Sequence, residues 1–487
     1  MSKPPSADTE RTRVVDAYGF EIQLTPEAAR ARARCAASAE RRAPRWCVYR
    51  DDETDAAMRD ARSRRLAKKS SVDANLTRLI RKGVPRDFRR RAWMSVSGAS
   101  SRRAAAPEGH YARVLRDAEN SLRGKNDEKR DEDRGATRVA NGDDAKRKTP
   151  RMKTEVPASG SSLRPFAAQI DLDIPRTFPE NRRYHGMDAG SGGRTAVRNV
   201  LLAYAAEHPE TGYCQGMNYV AAFLWLAVGT AEEAPDTAAT DGAEKKPPRV
   251  VSRDVKTERE ECTYWLFACL VDDVLAPEIF ARDVRGTLRE FRVLSLLLRS
   301  RAPSTHAHLE RHDMDLCMLQ SKWLLCVFTE SFPAETAARV LDVLFAEGHK
   351  AWLRVCVAVI VAHGAAVRRT THLPDAAAAL ARAFAEQHDA DALMKRAHSF
   401  RKVGSFPRAR IARLRGAADA QLAREATAAA AARAARSVAR ARERGEKTRE
   451  AAEMKDEATA DGKEDALGGV SVGEVMSEAV KKNEKKR

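Results

Sequence analysis

An all-α fold is predicted from three observations. Apolar residues recur at helical spacing through Tyr264, Trp265, Phe267, Leu270 and Leu275, through Phe291 to Leu298, and through Val340 to Phe345, without the alternation of a half-buried strand. Helix punctuation is explicit at Gly83-Val84-Pro85, where Gly83 stops one helix and Pro85 suits the first position of the next. Two charged stretches poor in aromatic residues, about 119–162 and 230–258, interrupt the apolar pattern. They cannot bury enough surface to offset their ordering entropy and read as disordered insertions.

Taken in order, the chain divides into three parts. Residues 1–74 form a partly ordered N-terminal extension. Met1 to Glu10 is polar, Val14 to Phe20 is a compact apolar patch, and Ala28 to Arg42 is an Ala- and Arg-rich helix followed by Trp46, Val48 and Tyr49. Two readings stay open for this part, packing on the main domain or a loosely ordered arm. The main domain spans about 75–400. Its first helix presents Leu76, Leu79 and Ile80 on one face, and the next turns Phe88 and Trp93 toward the core, with Arg89 one turn before Trp93. Residues 401–487 form a basic helix and a disordered tail. Arg433, Arg436, Arg440 and Arg444 share a helical face, and no bulky apolar residues oppose them. That pattern reads as a solvated helix, with a strip attracted to anionic lipid as the alternative.

Composition bounds the function. The 487 residues are 32% charged and 6% aromatic, and 87 basic against 69 acidic side chains give +18. Such a balance favours acidic partners, whether an anionic membrane surface, nucleic acid or an acidic protein face. No recognition motif or aromatic-basic interleaving accompanies it, so nucleic acid is not expected. The eight cysteines form no Cys-x-x-Cys pair, and Cys269, Cys326 and Cys356 lie in apolar runs. This is the pattern of reduced, buried thiols in a cytoplasmic protein. No apolar signal region follows Met1, the run Tyr219 to Gly229 is far short of a membrane span, and lipidation signals are absent. The expectation is a cytoplasmic protein able to visit endomembranes peripherally.

Two polar islands stand out within the apolar pattern. In Ile170-Asp171-Leu172-Asp173-Ile174-Pro175-Arg176-Thr177-Phe178-Pro179, two prolines bracket Arg176, which predicts a cation on a stiff, non-helical segment. In Gly212-Tyr213-Cys214-Gln215-Gly216-Met217, two glycines flank the triplet, which predicts a tight backbone and an aimed side chain. Taken alone, Arg176 would be a surface residue, Gln215 a turn residue and Asp173 a helix cap.

Ile170, Asp173 and Arg176 match the Ile-x-x-Asp-x-x-Arg motif of TBC domains, the Rab GTPase-activating family, and Tyr213 and Gln215 match that family's Tyr-x-Gln motif. Gly83, Pro85, Arg89 and Trp93 match its opening Gly-(Ile/Val)-Pro-x-x-x-Arg-x-x-x-Trp, and Val14 to Phe20 resembles a stretch found ahead of plant-type members. The resemblance implies a two-lobed helical domain. It also implies a partner, a Rab-type small GTPase in its GTP form, which carries GTP and Mg²⁺ while this chain holds no cofactor or metal of its own. Arg176 would be the arginine finger and Gln215 the glutamine finger, accelerating hydrolysis in trans during vesicle trafficking. Asp173 would orient the arginine. Tyr213, Ile170 and Gly216 would hold the loops, and Gly83, Pro85, Arg89 and Trp93 would be structural. A non-catalytic GTPase-binding scaffold is the alternative. The block from Ser321 to Gly348 resembles the family's C-terminal lobe, with Leu341 standing where Trp is common before Asp342, a packing change.

Other chemistries fit poorly. Gly190 to Thr195 fails as a phosphate loop, because Asp188 and Arg194 stand where Gly and Lys are needed. His306, His308 and His312 cluster without a carboxylate or thiol to complete a metal site. Cys214 with His208 lacks an orienting third group for a nucleophile.

Overall fold

The structure, a computed structural model, describes residues 11–47, 71–136, 163–184, 192–229 and 253–464. Met1 to Glu10, Val48, Tyr49, Gly190, Ser191, most of both expected insertions and the end of the tail lie outside the described residues. Two compact units divide the chain, Met1–Arg415 and Gly416–Arg487.

The first unit opens with an antiparallel hairpin, β1 (Thr12–Val15) and β2 (Glu21–Leu24), in an otherwise helical body. The Thr25 hydroxyl then accepts from Ala28 N at 3.2 Å and caps α1 (Pro26–Trp46), whose first residue is a proline suited to that position. Residues 11–47 are packed. Trp46 is buried and donates to the Gly83 carbonyl at 3.1 Å, and Tyr18 stacks on Phe223 at 5.7 Å.

One lobe follows from α2 (Ser71–Lys82), α3 (Arg86–Ser97), α4 (Ala99–Ala105), α5 (His110–Ala136), α6 (Arg164–Asp173), α7 (Gly193–Glu207), α8 (Met217–Ala227) and α9 (Arg253–Cys269). Its axis is α8, buried at every position except Tyr219 and packed by α3, α7 and α9. A helix apolar all round must be enclosed in this way.

The second lobe comprises α10 (Arg285–Arg301), α11 (Pro303–Arg311), α12 (Leu316–Gln320), α13 (Lys322–Leu325), α14 (Ala334–Glu347), α15 (Lys350–Val367), α16 (Leu373–Ala385) and α17 (Ala390–Ala397). Helix α15 is apolar and long enough to cross a membrane, yet 67% of it is buried, and α10, α14, α16 and α17 surround it as they would a core helix.

Helix α14 joins the lobes, packing on α2 and α3 as well as on α15 and α17. At that junction Arg89 and Asp342 are both fully buried. Arg89 Nε donates to Asp342 Oδ1 at 3.1 Å, Trp93 Nε1 donates to the same oxygen at 2.9 Å, and Val84 N donates to Oδ2 at 3.0 Å. The guanidinium also forks onto Glu335 at 2.7 and 2.9 Å and bonds the Tyr18 hydroxyl. A buried carboxylate left without its cation is costly, so this set ties the hairpin, α3 and α14 into one arrangement. Leu341 beside it is fully buried.

Four boundaries differ from expectation. Helix α5 runs through Ala136, so the stretch from Glu119 begins as helix, its first turn seated by Leu122 against Ala118, Ala167 and Leu202. Likewise α9 begins at Arg253, inside the expected second insertion, and Glu258 is held there by Arg90 and Arg103 at 3.0 and 2.8 Å. The first unit also continues past residue 400 to Arg415, because Val403, Phe406 and Ile411 are buried and Arg415 bonds Glu290 at 2.7 Å. Helix α18 (Arg408–Glu464) extends further than the tail was expected to be helical, and its residues 423–449 are exposed.

Removing the central acid should therefore be expensive. Asp342→Ala is expected to cost about 3–5 kcal/mol in denaturant unfolding, whereas Asp171→Ala, which breaks only the solvent-facing pair with Arg198, should cost about 1 kcal/mol or less. A second test uses Glu290. Burial alone would raise its carboxyl, but His349 and Arg415 hold it down at about 2, against an ordinary 4.5. A depressed acid stabilises the fold above its unfolded value and loses that contribution as pH falls through its folded one. Unfolding measured at pH 7 and pH 3 should show a smaller acid loss for Glu290→Gln than for the parent protein.

Candidate functional site

The two islands meet at the end of α6 and the start of α8. Ile170 and Asp173 lie on the last turn of α6, both buried, and the chain continues directly into a single 3-10 turn, Ile174–Arg176. The expectation of a non-helical segment is corrected here. Ile174 takes a helical conformation (φ −55°, ψ −47°), and Pro175 occupies the first turn of the short helix, where its ring angle fits and its missing N–H has no role. Stiffness is retained, because Thr177 N donates to Ile174 O at 3.1 Å and Thr177 Oγ1 donates to Asp173 O at 2.8 Å. Arg176 ends the turn, exposed, and its guanidinium has no partner among the described residues.

The second island is a tight loop leading into α8. Gly212 (φ +60°) and Gly216 (φ +109°) adopt backbone angles that side chains resist. Space forbids a side chain as well. A β-carbon on Gly212 would fall 2.2 Å from the Phe166 ring, and one on Gly216 would fall 2.8 Å from the Leu325 carbonyl oxygen. Gly216 thus brings the loop against α13, where the two lobes adjoin. Between the glycines Tyr213 is buried and Gln215 is exposed.

Side chains cross-bond the islands. Tyr213 Oη donates to Asp173 Oδ2 at 2.8 Å, Asn218 Nδ2 donates to Thr177 Oγ1 at 2.7 Å, and Tyr219 Oη donates to the Arg176 carbonyl at 3.3 Å. Asn218 Oδ1 also accepts from Gly216 N at 2.9 Å. Asp173, Thr177 and Asn218 are each 3% exposed or less, so these bonds lie out of water, where losing one partner costs more than the bond itself contributes. Burial first, and then the Asp173 carboxylate, push the Tyr213 phenol up, so it stays a donor.

Asp173 does not contact the Arg176 guanidinium. Its Oδ2 accepts from Tyr213 and from Gln169 Nε2 at 3.1 Å, so it steadies Arg176 through the backbone and the opposite loop. Asn218 and Thr177 were not singled out in the sequence, although each sits within three residues of an island's key side chain. Phe178 was also missed. It adopts φ +44°, which costs a bulky residue about 1–2 kcal/mol. Its ring is held edge-on by Phe20 at 5.0 Å and Tyr219 at 5.1 Å. The N-terminal turn bonds the following residues, Asn181 Nδ2 donating to Tyr18 O at 3.1 Å and Arg182 N to Gly19 O at 2.9 Å.

The other candidate groups have separate roles. Burial raises the Cys214 thiol, and His208 stacks on Tyr204 and faces Asp272 and Glu210. His306 bonds Ser295 and pairs with Glu310, and His308 bonds the Thr370 carbonyl. The cysteines at 262, 269, 326 and 356 are buried thiols that form no disulfide among the described residues.

The Rab-GTPase-TBC domain profile matches residues 86–366. The chain is 28% identical over 298 residues to growth hormone-regulated TBC protein 1 of Homo sapiens, a match spanning 61% of this chain and 66% of that protein, just under two-thirds of its length. Growth hormone-regulated TBC protein 1-A of Danio rerio is 27% identical over 434 residues, covering 86% of this chain and 93% of that one. Among solved structures, the Chlamydomonas flagellar RabGAP TBC domain superposes with a TM-score of 0.55 at 25% identity, over 79% of this chain and all of that one.

The glycine requirement is directly testable. Gly216→Ala is expected to lower stability by at least about 1 kcal/mol in thermal or denaturant unfolding, from the combined angle and overlap. An unchanged midpoint would contradict the close approach to Leu325.

Proposed function

The chain belongs to the Rab-GTPase-TBC domain family, and from that premise we propose that it speeds GTP hydrolysis by a Rab-type small GTPase in its GTP form, supplying Arg176 and Gln215 in trans. One observation carries the reading. Two loops 39 positions apart (215 − 176) are cross-bonded through Asp173–Tyr213 and Thr177–Asn218, and each leaves exposed one side chain of a type that phosphoryl transfer uses.

The chemistry explains the pair. Phosphoryl transfer needs little covalent help and depends on placing a water and neutralising charge on the phosphate oxygens. A guanidinium is permanently charged and can fork onto two oxygens, which an ammonium cannot do. A carboxamide offers donor and acceptor together, so Gln215 can hold a water while touching the phosphate. Neither side chain has a partner to surrender among the described residues, so engaging a nucleotide breaks no existing bond. Leu172, 56% exposed beside Asp173, offers the apolar contact that a docking protein surface would cover.

The nucleotide and its magnesium ion belong to the partner on this reading, and the chain is an activator that transforms no substrate of its own. Its setting would be vesicle transport, in the cytoplasm and at endomembrane surfaces, with the exposed basic strip of α18 available to anionic lipid.

Single-turnover hydrolysis with a panel of GTP-loaded Rab-type GTPases tests the proposal. Arg176→Ala should lower the accelerated rate by about 10³–10⁵ and Gln215→Ala by about 10²–10³, with Arg176→Lys failing to rescue. Rates untouched by both alanine variants would refute the two-finger mechanism. Binding without acceleration for every GTPase would instead favour a scaffold.

A further inference from the structure

A second feature lies on other elements, α1, α2, α14 and α17. These enclose an open cleft of about 590 Å³, a size that suits a small molecule. Its rim is formed by Arg41, Arg45, Arg78, Lys82 and Lys395, all exposed. Deeper in lie Arg42 and Arg339, which share Asp391 at 2.8 and 3.2 Å. Eight arginine and lysine side chains line the cleft against one lining carboxylate, Asp391, and Glu347 neutralises a second cation, Arg81.

Helix ends alone do not account for this charge. Helices α1, α2 and α17 all finish with basic residues nearby, which offsets the negative end of each helix dipole. Asp342 at 3.3 Å neutralises Arg339 as well, and each helix end amounts to about half a charge, so three ends compensate roughly one and a half of the five cations that Asp391, Glu347 and Asp342 leave over. The side chains of Arg41, Arg45, Lys82 and Lys395 have no hydrogen-bond or ion-pair partner among the described residues. Arg339 is 2% exposed, and its Nε finds no acceptor although both its terminal nitrogens do. Arg42 Nε is buried without an acceptor in the same way. Those two buried nitrogens do not reach the cleft, but the exposed, unpartnered cations of its rim, with positive charge left in excess, fit an anion with several acceptor oxygens.

The lining narrows the ligand class. Met394 is its one apolar side chain and His398 its one ring, so it offers little for a nucleobase or an acyl chain to pack on. Several guanidinium forks around a compact volume match a ring or polyol bearing multiple phosphates. We propose that this cleft binds a polyphosphorylated polyol, of the class of inositol phosphates, either free or as the headgroup of a lipid. The inference stands independently of the GTPase reading.

Calorimetry on the full chain at physiological ionic strength, with inositol hexakisphosphate as probe, tests it. The triple variant Arg45→Gln/Lys82→Gln/Lys395→Gln removes exposed, unpartnered cations without placing acids at helix C-termini and should lower the thermal midpoint only modestly. It is expected to bind at least about a hundredfold more weakly, since charge-assisted contacts carry roughly tenfold each. Arg433→Glu/Arg436→Glu/Arg440→Glu in α18 should bind like the parent. Flotation with phosphatidylcholine vesicles carrying a bisphosphorylated inositol lipid, against phosphatidylserine vesicles of equal surface charge, separates the sources. Preference for the inositol lipid that the rim variant loses identifies a headgroup site, and binding of the free probe alone identifies a soluble ligand. No binding by the parent, equal binding by the rim variant, or loss in the α18 variant would overturn the proposal.

Discussion

The hydrogen bond from Tyr213 to Asp173, with its neighbour from Asn218 to Thr177, is the constraint on which the site depends. The first joins the two islands directly, and the second reaches the first island from Asn218, one residue past the end of the second; all four residues are buried. Without them, Arg176 and Gln215 would ride on separate loops, and on the proposed reading bringing both to one nucleotide would cost ordering entropy at the moment of encounter. With them, that cost is met during folding. Exposed tips on buried, bonded bases are what a surface acting on a partner requires, because the tips must be reachable and their spacing fixed.

The surrounding fold holds these bases in place. Helix α8 carries the second island, is enclosed on nearly every side, and abuts the second lobe through Gly216 and the Leu325 carbonyl. The first island is backed by the N-terminal turn, since Phe20 holds Phe178 in its strained conformation and Tyr18 reaches both the Asn181 side chain and the Arg89 set. Arg89, Asp342 and Trp93 connect that turn to α14 and so to the second lobe. Hairpin, site and lobe junction thus share one continuous set of buried contacts, although the family profile begins only at residue 86.

Much of this was legible in the sequence, for identifiable reasons. Helical periodicity marked the second lobe because its helices are buried on wide faces, and Gly212 and Gly216 marked a loop whose angles and contacts admit no side chain. Arg176 and Gln215 stood out only because two motifs occurred together. The conformation around Arg176 was misjudged, since the local preference of a residue before proline yielded to the continuing helix at Ile174. The start of α9 lies in a stretch read as a disordered insertion because its support is ionic: Glu258 meets Arg90 and Arg103 from elements more than 150 positions away, which composition cannot register. The strain at Phe178 and the cleft under α1 were invisible for the same reason, as both arise between distant segments.

The joint action of the two side chains is the central claim, and a double-mutant cycle in single-turnover hydrolysis measures it. If Arg176 and Gln215 act as one unit on a shared base, the double alanine variant should fall little below the worse single variant. A loss equal to the product of the two single losses would mean that they work independently, contrary to this account.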